Sequence, residues 1–188
     1  PSPMHLNAHW NGGELVSDQL IEDNILYLLT CDREYPNGYG VVVAIDLQTE
    51  TIKWEKQLDN IEGYSDSKLC IRDDVLYVLT NSFIRIDKRD GSILNRYDGE
   101  IAPPSIGNLA ESTVSLHKVR YDNERLYYIT VRSTRGRIGW QRDYSLMCID
   151  AVTLKFLWSA PLEYGSYRTP LIVANGKIYI ITYGNGLL

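Results

Sequence analysis

The run Ile25-Leu26-Tyr27-Leu28-Leu29-Thr30 returns as Val75-Leu76-Tyr77-Val78-Leu79-Thr80, Arg125-Leu126-Tyr127-Tyr128-Ile129-Thr130 and Lys177-Ile178-Tyr179-Ile180-Ile181-Thr182. The four tyrosines lie 50, 50 and 52 residues apart. A fixed period of this length means that one supersecondary unit is copied along the chain, since one unit cannot bury its apolar face alone and stacked neighbours can. The fold must therefore give all four runs equivalent surroundings.

Each run follows a turn pair: Asp23-Asn24, Asp73-Asp74, Asn123-Glu124 or Asn175-Gly176. These residues tolerate left-handed backbone angles, so the flanking segments, 17–22 and 25–30 in the first copy, read as a β-hairpin. A second hairpin follows as strands 42–46 and 51–58 about the turn 48–50. It recurs as 84–87 and 92–97 about 89–91, and as 146–150 and 155–162 about 152–154. In each copy an aspartate, Asp46, Asp87 or Asp150, stands eight residues before Trp54, Asn95 or Trp158. Fourteen Tyr and four Trp against two Phe also favour strands over helices.

Two hairpins in series make a four-stranded antiparallel meander, and meanders stacked about an axis form a β-propeller. The expected fold is all-β, with an irregular segment at 1–14, blade 1 at 15–62, and blade 2 with its linker at 63–112. Blade 3 falls at 113–166, and 167–188 is the first hairpin of an incomplete blade 4. Propellers typically close with about four to eight blades, so three and a half copies predict a piece of a larger propeller. Open strand edges predict association with further blades or a homo-oligomer.

Ala44-Ile45-Asp46-Leu47-Gln48-Thr49-Glu50-Thr51-Ile52-Lys53-Trp54 resembles the A-x-D-x-x-T-G-x-x-x-W repeat of PQQ-like propellers, the quinoprotein alcohol dehydrogenase-like superfamily. That superfamily also includes the propeller lipoprotein of bacterial outer-membrane assembly. Glu50 replaces the repeat's Gly in this copy; the second keeps Asp87, Asp90 and Gly91 but has Asn95 for Trp; the third keeps Asp150, Thr153 and Trp158 but has Cys148 for Ala and Leu154 for Gly. The resemblance implies the propeller fold, Trp54 and Trp158 as docking residues between blades, and an exported or periplasmic location, although residues 1–4 do not open a signal peptide. Its enzymes hold pyrroloquinoline quinone with Ca²⁺ and commonly carry a disulfide of adjacent cysteines. Cys31, Cys70 and Cys148 are far apart, so no cofactor and no enzymatic activity are expected of this chain. The expected function is a non-catalytic scaffold for protein–protein interaction or assembly. The alternatives are a fragment of a PQQ-dependent dehydrogenase and an extracytoplasmic ligand- or glycan-sensing domain.

Loop lengths point to one face of the disc. The turns inside each hairpin are short, whereas 15, 6 and 19 residues separate Thr30, Thr80 and Thr130 from Asp46, Asp87 and Asp150. Strands of a meander alternate in direction, so the variable connections all emerge on one face, and function gathers on such loops. The candidate loops are 31–40, with Tyr35 and Tyr39; the linker 99–112; and 131–145, which carries Arg132, Arg135, Arg137, Trp140, Arg142 and Tyr144. Arginine forks beside aromatics suit a carboxylate, a phosphate or a protein partner. Asp46, Asp87 and Asp150 read as turn caps rather than a carboxylate cluster. His5, His9 and His117 form no metal-ligand pattern. A net charge of −5 speaks against a broad nucleic-acid surface, and no apolar run reaches the roughly 20 residues of a membrane-spanning helix.

Overall fold

The structure is a computed structural model and describes residues 16–31, 40–59, 68–80, 82–98, 112–136, 139–162 and 171–180. Among the described residues fourteen strands run in order: β1 (Val16–Glu22), β2 (Ile25–Cys31), β3 (Gly40–Asp46), β4 (Thr51–Leu58), β5 (Lys68–Arg72), β6 (Val75–Leu79), β7 (Phe83–Asp87), β8 (Ile93–Tyr97), β9 (Ser112–Asp122), β10 (Arg125–Gly136), β11 (Gly139–Asp150), β12 (Phe156–Leu162), β13 (Leu171–Ala174) and β14 (Lys177–Ile180). They form three four-stranded antiparallel meanders and one hairpin, each in sequential order, which is a partial β-propeller. Neighbouring blades meet most closely through their first strands, β1 with β5, β5 with β9 and β9 with β13.

The hairpin turns take the left-handed geometry that their residues allow. Both turn residues have positive φ at Asp23-Asn24, Asn123-Glu124 and Asn175-Gly176, and Asp73 does at the second copy. Such turns match the right-handed twist of the strands they join. In the second hairpins the residue four after each Asp is again left-handed: Glu50 at 55°, Gly91 at 76° and Leu154 at 60°. The repeat thus keeps the backbone conformation of its glycine position even where the glycine is gone.

Alternation along each strand gives every blade two apolar sides. Tyr27, Leu29, Val42, Ala44 and Trp54 of blade 1 pack with Leu69, Leu76, Val78, Ile84 and Ile86 of blade 2. Tyr77, Leu79 and Phe83 leave the other side of blade 2 to meet Val119, Leu126, Tyr128, Met147, Ile149 and Leu154 of blade 3. Tyr127, Ile129, Leu146, Cys148 and Trp158 then face Leu171, Val173, Ile178 and Ile180 of the last hairpin. Leu26, Leu28, Val41, Val43 and Ile45 cluster on the side of blade 1 turned away from blade 2.

One expectation about the variable face is corrected. Residues 131–145 are not a loop, because β10 runs to Gly136, β11 begins at Gly139 and the two stay in register throughout. The variability that the sequence suggests as loop length is, in blade 3, strand length.

Candidate functional site

Beyond Thr130↔Ser145 the β10–β11 ladder continues through Val131↔Tyr144, Arg132↔Asp143, Ser133↔Arg142, Thr134↔Gln141, Arg135↔Trp140 and Gly136↔Gly139. β9 accompanies it from Ser115↔Val131 to Ser112↔Thr134. The extra residues lengthen the ribbon by about 20 Å at the usual rise of about 3.3 Å per residue. The corresponding strands of blades 1 and 2 contain 5 to 7 residues, against 12 each for β10 and β11.

Register sorts the predicted cluster into two groups. Leu126 and Tyr128 face blade 2, so alternation puts Arg132 and Thr134, with Asp143 and Gln141 opposite, on the blade 2 side. Tyr127 and Ile129 face the last hairpin, which puts Ser133 and Arg135 on that side, together with the cross-strand positions of Trp140, Arg142 and Tyr144. Arg132 is therefore not part of one patch with Arg135 and Arg142, a correction to the cluster expected from sequence. Tyr144 and Val131 are buried at the root of the ribbon, whereas Arg135 and Arg142 are exposed farther out. Arg137, Tyr35, Tyr39 and all but the last residue of the linker 99–112 lie outside the described residues, as do His5 and His9. His117 is in β9, the edge strand of its sheet that packs beside β5 and β13.

The capping aspartates sit on the opposite face. Asp46 Oδ1 accepts the N–H groups of Gln48 and Thr49 at 2.8 and 3.0 Å, and those bonds hold its carboxyl below the ordinary value. Asp150 Oδ1 accepts from Val152 and Thr153 N–H at 3.0 and 2.7 Å and is lowered chiefly by Thr153. Asp87 is gripped instead by Arg89, whose Nε and backbone N–H each reach Oδ1 at 2.9 Å, bringing its pKa down to about 2. Each of the three is thus engaged locally in its own turn.

Trp54 joins blade 1 to blade 2. Its Nε1 donates to Lys88 O at 2.9 Å, its ring lies 6.0 Å from that of Tyr27, and it covers Gly91. Glu22 of blade 1 reinforces the joint by accepting from Lys88 Nζ at 2.6 Å. The next joint uses different residues. Arg85 stands opposite Asn95 where Ala44 stands opposite Trp54, and its Nη1 donates to Val152 O at 2.7 Å while Asn95 Nδ2 reaches the same carbonyl at 3.3 Å. A guanidinium has replaced the indole as planar N–H donor to the next blade. Its Nε is buried without a hydrogen-bond partner. Leu154, at the repeat position of Gly91, is fully buried in the cluster between blades 2 and 3.

Sequence reasoning missed Arg85 and Leu154 as joint residues. The available signal was the simultaneous loss of Ala, Trp and Gly from related repeat positions. Cys70 and Cys148 are free thiols, and burial pushes Cys70 up to about 11. Among the described residues no three His, Cys, Asp or Glu side chains gather in a way that could hold a metal ion.

No known family pattern matches the sequence, and no curated protein matches it. Solved structures do match, among them a quinohemoprotein alcohol dehydrogenase from Pseudomonas putida HK5, at 12% identity and a TM-score of 0.45 over 86% of this chain. This chain spans 30% of the length of that enzyme. A likeness at that level carries nothing about activity; the sheet topology itself makes the chain a partial β-propeller of four-stranded blades.

Proposed function

We propose that this chain is a non-catalytic propeller scaffold that binds a protein partner through the blade 3 ribbon. The observation that carries the reading is the lengthening of β9, β10 and β11, with Arg135 and Arg142 exposed on one side of a ribbon otherwise rooted in packed core. A ladder fixes its side chains in place with less ordering cost than a loop, and preorganisation of this kind favours affinity. Two guanidinium groups on one side, in a chain of net charge −5, suit an acidic partner segment, whose carboxylates each can take two parallel N–H bonds.

The test is charge reversal in the intact chain. With Arg135→Glu and Arg142→Glu combined, melting stays within a degree of wild type because both side chains are exposed, while affinity for a partner retained by the wild-type chain falls at least tenfold. Tenfold is about 1.4 kcal/mol, within the range of an interface hot spot. A partner held equally by both chains, or no partner held by wild type, overturns the reading.

A further inference from the structure

On the blade 3 ribbon, Ser133 stands directly opposite Arg142, and Arg135 directly opposite Trp140. Directly opposite residues share one side of a sheet, as do residues two apart on one strand, so Arg135 and Arg142 are diagonal neighbours on the side turned to the last hairpin. Diagonal positions lie about 7–8 Å apart, and along the ribbon these two are separated by two residues of rise, about 6.8 Å. Both arginines are exposed. In β9, Thr113 pairs with Ser133 and Ser115 with Val131. Among residues 131–136 and 139–145 the acid is Asp143, which pairs with Arg132 on the other side. Beyond Thr130 the hairpin side of β10 and β11 therefore carries cations and no carboxylate.

This placement sets the repeat distance of whatever engages both guanidinium groups. In extended polypeptide, adjacent residues point to opposite faces, and alternate residues lie about 6.8 Å apart on one face. That distance equals the step from Arg142 to Arg135 along the ribbon. We infer that the ribbon receives an extended segment with carboxylates at alternate positions, laid along β10 and β11 with one acid at Arg142 and the next but one at Arg135. The inference rests on the acidic-partner reading above and narrows it to a spacing and a conformation. Two guanidinium groups held this close repel each other, and a carboxylate at each relieves the repulsion. A helix also brings acids four residues apart to a similar separation, about 6.0 Å along its axis. It is a straight cylinder, however, whereas a strand has the same right-handed twist as the ribbon and keeps contact along it.

The probes are the peptide Thr-Val-Glu-Thr-Glu-Val-Thr, the same residues reordered as Thr-Val-Glu-Glu-Thr-Val-Thr, and an alanine-rich helical peptide with two Glu four apart. Each is titrated into the intact ¹⁵N-labelled chain, and the Nε–H resonances of Arg135 and Arg142 are assigned by their loss in Arg135→Lys and Arg142→Lys. The alternating peptide is expected to shift both resonances together. The reordered peptide should bind about three- to fivefold more weakly, the contribution of one exposed ion pair. Combining Ser133→Arg with Arg135→Ser conserves charge but moves the second guanidinium directly opposite Arg142, and the two orders should then bind alike. Equal affinity of the wild-type chain for the two orders overturns the inference and leaves the acidic-partner reading standing, as does tighter binding of the helical peptide. Silence of both resonances toward all three peptides also overturns the inference, and the charge reversal described above then decides the acidic-partner reading by itself.

Discussion

The indole of Trp54 lies so close over Gly91 that a Cβ added to the glycine would come within 2.7 Å of Cε3 and 2.9 Å of Cδ2. Gly91 also has a φ of 76°, so both its backbone and its surroundings exclude a side chain.

Trp54→Ala is expected to cost about 3–5 kcal/mol, as for other buried aromatic truncations. Gly91→Ala should cost more than about 1 kcal/mol from backbone strain and the indole contact together. The double variant should lose less than the sum, because removing the ring removes the clash. Urea denaturation of the four chains measures this, and simple additivity would count against the contact.

Glu50 and Leu154 share a left-handed backbone but should respond in opposite directions to glycine. Exposed Glu50 loses nothing by truncation, so Glu50→Gly relieves strain and is expected to stabilise by up to about 1 kcal/mol. Leu154 is 0% exposed between blades 2 and 3, so Leu154→Gly should destabilise by about 2–5 kcal/mol. Thermal melts of the two variants give the signs directly.

Asp46, Asp90, Asp98 and Asp150 are all held below the ordinary value of 3.8, and Asp87 lies near 2. A carboxyl depressed in the folded state contributes stability above its unfolded pKa and loses it as pH falls toward the folded one. The melting temperature should therefore hold above pH 5 and decline between about pH 4 and 2. Asp87→Asn should flatten the lower part of that decline, as calorimetry across the range would show.

Cys70 titrates near 11, and Cys148 is fully buried with its thiol also raised by desolvation. Both should resist iodoacetamide at pH 7.5 in the folded chain and react once it is unfolded in urea, because the thiolate is the attacking species. Peptide mass mapping before and after unfolding reads the outcome. Rapid alkylation of either in the native state would contradict the packing between blades.

The fold was largely legible because its signals are local and repeated. Turn pairs such as Asp23-Asn24 and Asn123-Glu124 carry their left-handed geometry in their own residue types, and the Tyr run marks the phase of each meander. The ribbon was not legible as strand: Arg132-Ser133-Thr134-Arg135 is polar at every position, and alternation is visible only when one side is apolar. Consequently the arginines looked like one patch until register separated Arg132 from Arg135 and Arg142. Arg85 and Leu154 were hidden for another reason. They lie 69 residues apart in the chain, and the exchange of an indole over glycine for a guanidinium that reaches Val152 O has meaning only across two packed blades.

That exchange has a consequence for how the chain finds its order. In a protein built of repeats, blade 1 could in principle settle against blade 3 with blade 2 displaced. Trp54 would then meet Leu154 instead of Gly91, and Lys88 would be parted from Glu22. The unlike joints act as addresses: Trp54 has room over Gly91 and would have none over a leucine, which disfavours that displacement.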